Sequence, residues 1–125
     1  MTTPASTIGQ EFAHALLTKN WSRLEFLLDN DISFRGLTPG QSWQASSPQE
    51  LIENVFTQWF EPTDEIYEIL DISSDVLGDR RRVIYRFKVR NPEGDYLVEQ
   101  TAYFFDAEEK ITKLRILCSG FIPTS

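Results

Sequence analysis

Glu99, Tyr85, Thr101 and Tyr103 are the side chains in this 125-residue chain whose types and spacing come nearest to a reaction centre. On an apolar wall between Phe87 and Ile116, the Glu99 carboxylate would be desolvated, which raises its pKa and suits it to shuttle a proton. Thr101, Tyr85 and Tyr103 on the same wall would orient a polar ligand, with Glu68 at the rim. Other chemistry is scarce. His14 is the single histidine and Cys118 the single cysteine, which excludes an intrachain disulfide and argues against a zinc site. No metal-ligand set and no cofactor motif stands out. At about 100° per residue, His14 falls away from the helical stripe of Phe12 and Leu16, toward solvent or a helix edge.

The elements that must position these residues divide the chain in two. Thr7 and Gln10 have capping-box spacing, and Ile8, Phe12 and Leu16 then recur on one face, predicting a first helix that ends near Asn20. Asn20 can cap a second, short helix, Trp21 to Leu28. Ile32-Ser-Phe34 reads as a short strand running into a loop broken by Gly36, Pro39 and Gly40, with Trp43 beyond it. Ser47, Pro48 and Glu50 open a third helix whose Leu51, Ile52, Val55, Phe56, Trp59 and Phe60 follow at helical spacing until Pro62. Four long alternating segments then fill residues 64 to 121, joined by turns so short that they must be antiparallel hairpins.

Registers decide which residues face the helices. A two-residue turn at Gly78-Asp79 puts Ile72 opposite Tyr85 and Leu70 opposite Phe87. It sets Asp75 against Arg82 and Asp71 against Arg86 on the outer face, so the Arg80-Arg81-Arg82 run reads as ion-paired surface rather than a phosphate site. Asn91-Pro-Glu-Gly-Asp95 matches a three-residue hairpin loop with a bulge, pairing Asn91 with Asp95. Inside, Phe87 then faces Glu99, Tyr85 faces Thr101 and Val83 faces Tyr103. The other parity sends Glu99 out to Arg86 and brings Gln100 in. Leu114, Ile116 and Cys118 join the inner face. The outer face carries Ile84, Val98, Ala102, Phe104, Ile111 and Leu117, an apolar patch that predicts a homodimer.

A formal charge of −7 opposes binding to nucleic acid or an anionic membrane, since both attract positive patches. With 41% hydrophobic residues, the length suits one domain, residues 7–125, behind a flexible tail at residues 1–6. The first residues lack the basic and apolar stretches of a signal peptide, and no apolar run approaches membrane-spanning length, so a cytoplasmic protein is expected.

Residues Glu11 to Leu28 running into Asp31-Ile-Ser-Phe34, and Thr101 to Arg115, carry a resemblance that covers nearly the whole chain. The pattern resembles the nuclear transport factor 2-like superfamily, which includes ketosteroid isomerase and the SnoaL-type polyketide cyclases. The resemblance implies an α+β fold: three N-terminal helices packed on a strongly curved, mostly antiparallel sheet, a cone with an internal pocket. It also implies a homodimer through the outer sheet face. The isomerase's catalytic tyrosine and two aspartates do not carry over, because Phe12, Gly36 and Thr101 stand at the matching positions. The histidine-centred sites of the cyclases and of scytalone dehydratase also lack a counterpart.

Three readings follow. One is a noncatalytic module binding a small apolar molecule in a pocket lined by Phe12, Phe34, Trp43, Phe56, Trp59, Tyr85, Phe87, Thr101, Tyr103, Leu114 and Ile116. Another is an isomerase, dehydratase or cyclase using Glu99 as acid or base. The third is a dimeric interaction scaffold, which requires the concave side to be filled.

Overall fold

The computed structural model describes residues 5–124. The predicted tail lies mostly outside them. Helix α1 spans Ala5–Leu17, so it opens upstream of Thr7, and Thr7 is not its cap. Along α1, Ile8, Phe12, Ala13 and Leu16 are buried, as the helical period requires. Lys19, at a positive φ of 54°, reverses the chain, and Asn20 accepts a hydrogen bond from Arg23 N to cap α2, Trp21–Leu27.

Strand β1, Leu28–Thr38, is far longer than the three residues expected. Only Pro39-Gly40 makes the turn into β2, Gln41–Ala45. Gly36 lies within the strand because its missing side chain is needed there: a Cβ would come within 2.8 Å of the Phe34 ring and 3.0 Å of Trp59. The third helix, α3 (48–59), begins as read: Ser47 Oγ accepts from Glu50 N at 3.1 Å, while Glu50 Oε1 accepts from Ser46 N at 2.7 Å. Its middle, Ile52–Phe56, is a π-helical turn, and Leu51, Ile52, Val55, Phe56 and Trp59 are all buried.

The remaining strands are β3 (Glu65–Leu77), β4 (Arg80–Asn91), β5 (Gly94–Ala107), β6 (Lys110–Cys118) and a short β7 (Ile122–Pro123). They form one open sheet ordered β2-β1-β6-β5-β4-β3, with β7 on β5. Only the β1–β6 pair is parallel among the described strands; the others are antiparallel. The fold is thus α+β, with the helices on one face of a large, mostly antiparallel sheet.

Three registers differ from expectation. In β3, irregularities at 66–68 and 69–71 put Ile69, not Leu70, opposite Phe87 and send Glu68 outward to Lys88, 3.5 Å away. Ile72–Tyr85, Asp75–Arg82 and Asp71–Arg86 pair as predicted.

The β4–β5 turn has two residues rather than three. Asn91 Oδ1 accepts from Glu93 N at 2.8 Å, Asn91 pairs with Gly94, and Gly94 takes a φ of 147°. Asn91 Nδ2 also donates to the buried Asp64 at 3.0 Å, which ties this turn to the loop after α3. Parity therefore shifts by one along all of β5. Glu99, Thr101 and Tyr103 face outward, and Val98, Gln100, Ala102 and Phe104 face the helices.

In β6 an extra residue near Thr112 turns Ile111 inward. Of the predicted outer patch, Val98, Ala102, Phe104 and Ile111 are consequently core residues; Ile84 and Leu117 remain outside.

Candidate functional site

The interior between helices and sheet is the place where chemistry was expected, and aromatic rings fill it. Phe12 of α1 meets Phe56 of α3 at 6.3 Å and Tyr85 of β4 at 6.5 Å between ring centroids. Phe56 continues the cluster to Phe34 at 5.8 Å and Trp59 at 5.5 Å, and Trp59 reaches Trp43 at 6.1 Å. Tyr85 stacks on Phe87 at 6.2 Å. Phe12, Phe56, Tyr85, Phe87 and Leu114 have no exposed surface, and Ile116 has 1%. Phe12, Phe34, Trp43, Phe56, Trp59, Tyr85 and Phe87 thus form one ring cluster, whose Trp43 also lines a recess with Ile116. Thr101 and Tyr103 stand apart, on the opposite face of the sheet.

One polar pair lies in this dry region. Tyr85 Oη donates to Gln100 Oε1 at 2.7 Å, with both residues fully buried. Burial, and then the charge interaction with Cys118, pushes the Tyr85 hydroxyl pKa well above its ordinary value. Gln100 Nε2 and Trp59 Nε1 are buried without a hydrogen-bond partner.

Glu99, expected to be the acid or base of this interior, is on the outer face. Its carboxylate pairs with Arg86 at 2.6 Å and its side chain is 40% exposed. The desolvation argument for it therefore has no footing, because the group is hydrated and neutralised by a cation. His14 is exposed, as its helical angle predicts, and edges a 550 Å³ surface recess with Glu11, Arg23 and Ile72.

Sequence reading favoured Glu99 over Gln100 on turn chemistry alone. A signal for the correct parity was present: it sets Arg86 against Glu99 and Arg90 against Asp95, two opposite-charge pairs on one face. Among the described residues, no group of three or more His, Cys, Asp and Glu side chains is placed to share a metal ion, and no helix is long and apolar enough to cross a membrane.

No family model matches the sequence, and no curated relative does. Solved structures match across most of the chain. A provisionally assigned isomerase from Rhodopseudomonas palustris is 15% identical with a TM-score of 0.73, over 96% of this chain and 93% of that one. A provisionally assigned polyketide cyclase from Xanthomonas campestris pv. campestris is 14% identical with a TM-score of 0.70, over 89% and 87%. A protein of ketosteroid isomerase-like fold from Catenulispora acidiphila, solved with trimethylamine, is 16% identical with a TM-score of 0.65, over 94% and 88%. At such identities the likeness concerns architecture. The fold of this chain is the nuclear transport factor 2-like fold.

Proposed function

We propose that this chain is a noncatalytic interaction module, a homodimer that uses the cone as a solid body and the outer sheet face as its contact surface. The observation that carries this reading is the filled interior: the rings of Phe12, Phe56, Tyr85 and Phe87 occupy the concave side with no exposed surface. The acid expected to act there, Glu99, is outside in an ion pair. Names of isomerase and cyclase type among the structural neighbours do not weigh against it, because one fold hosts unrelated functions and the site decides.

On the outer face, the registers align Ile84, Thr101, Leu117 and Leu37 in one row across β4, β5, β6 and β1. Leu37 and Leu117 are about half exposed, at 52% and 49%. Such a row, flanked by the Arg86–Glu99 and Arg82–Asp75 pairs, supports a second copy as its cover. Native mass spectrometry of the purified protein tests both parts. A dimer mass with no small molecule retained in the cone is expected; a stoichiometric ligand that Gln100→Leu releases would overturn the filled-cone reading.

A second reading, binding of a small apolar molecule inside the cone, is favoured by one observation. Gln100 Nε2 and Trp59 Nε1 are buried donors that lack acceptors, and a ligand carrying a carbonyl or ether oxygen would satisfy them. A retained ligand that Gln100→Leu releases would support it.

A further inference from the structure

Arginines in this acidic chain are almost all neutralised. Arg23, Arg80, Arg81, Arg82, Arg86 and Arg90 each have a carboxylate within ion-pair distance. Arg35 and Arg115 have none among the described residues. These two are not scattered: they are cross-strand partners on β1 and β6, and both project to the outer face. The Arg115 guanidinium is fixed by neutral acceptors, Ser33 O at 2.8 Å, Leu114 O at 2.9 Å and Ser33 Oγ at 3.4 Å. Burial, and then the facing Arg35 charge, lower the Arg115 pKa. Arg35 is exposed and has no hydrogen-bond partner among the described residues. Two carboxylates, Asp31 and Glu50, line an adjoining recess with Arg35, yet neither forms an ion pair with it, and Glu50 is engaged by Ser46 N.

Two like charges held side by side, in a chain with 19 acidic residues against 12 basic ones, have no ion-pair partner among the described residues. Their surroundings specify what kind. Arg35 and Arg115 line one recess of 490 Å³ together with Leu37, Leu117, Ser42 and Gln44. Half-exposed leucines next to unpaired guanidinium groups present an apolar surface and a cationic fork in one concavity. A guanidinium pair suits a carboxylate, which it can meet with parallel N–H donors, and the leucines suit an alkyl or aryl body. Ser42 and Gln44 supply further hydrogen-bonding groups at the edge strand.

We propose that this recess is a binding site for a small amphiphilic carboxylate, with Arg35 and Arg115 holding the carboxylate and Leu37 and Leu117 covering its apolar chain. The site does not depend on the state of the cone interior. Leu37 and Leu117 both belong to the proposed dimer row as well, so oligomeric state is measured in the same samples.

The experiment is calorimetric titration of the full chain with octanoate, acetate and inorganic phosphate. Octanoate is expected to bind once per chain and more tightly than acetate or phosphate. Arg35→Ala should weaken octanoate about tenfold or more, as expected for loss of a charge-assisted contact. Leu37→Ser should weaken octanoate while leaving acetate unchanged. Arg35 and Leu37 are exposed, so both variants should melt at the wild-type temperature, and Arg115→Lys provides a second reduction of the fork. Absence of octanoate binding, or octanoate binding that Arg35→Ala leaves intact, as for a ligand inside the cone, would overturn the site. Phosphate binding as tightly as octanoate would overturn the amphiphilic class. A monomeric mass with Arg35-dependent octanoate binding would sink the dimer and keep this site.

Discussion

Tyr85 and Gln100 make each other tolerable. A phenol and an amide in a region without solvent each cost free energy unless paired, and the 2.7 Å hydrogen bond between them meets that requirement for two of their polar atoms. Tyr85→Phe should therefore destabilise the fold by about 1–3 kcal/mol in urea unfolding, since it leaves Gln100 Oε1 without a donor. The double variant Tyr85→Phe with Gln100→Leu should recover most of that loss, because it removes both polar ends and the unpartnered Nε2 together.

The same burial predicts a pH dependence. The folded-state pKa of Tyr85 is raised, so the neutral hydroxyl is the form the fold prefers. Its contribution is fully present below the unfolded tyrosine pKa, about 10, and is lost as pH rises from there toward the folded value. Alkaline unfolding of the wild type, followed by tyrosinate absorbance, should show Tyr85 ionising only with unfolding; Tyr85→Phe should lack that component. Glu99→Gln, in contrast, should change stability by about 1 kcal/mol or less, since its pair with Arg86 is hydrated.

At the scale of elements, the caps of the second and third helices were legible, whereas that of the first helix and the register of β5 were not. Ser47 with Pro48 and Glu50, and Asn20 before Trp21, act through local backbone groups, so their roles are written within four residues of sequence. The β4–β5 turn depends on Asn91 bonding both its own corner and Asp64, 27 residues earlier in the chain, and no local pattern contains that second bond. One residue of turn length then decides the face of every residue on β5.

Gly36 is a similar case. In sequence it resembles a loop glycine, but in the fold it makes room for Phe34 and Trp59 in the middle of β1. Gly36→Ala should cost about 1–3 kcal/mol in thermal or urea unfolding through overpacking.

For the whole molecule, the question is which surfaces are finished. Aromatic rings contributed by α1, α3, β1 and β4 are buried in the interior, and the outer face keeps an apolar row beside two arginines with no ion pair among the described residues. Ile84→Arg, placed in that row on β4, should yield a folded monomer by sedimentation velocity while the wild type sediments as a dimer. An unchanged sedimentation coefficient for the variant would remove the outer face from the contact.

By itself the sequence determined the α+β class, the order of helices before meander, and the inward aromatics Phe12, Phe56, Tyr85 and Phe87, because hydrophobic period and capping are local properties of the chain. Tertiary structure alone decided that these rings meet in one cluster, that Gln100 rather than Glu99 stands beside Tyr85, and that Arg35 and Arg115 meet. Those outcomes depend on strand pairing and side-chain packing between residues distant in sequence, where a single bulge or a bond such as Asn91 to Asp64 sets the result.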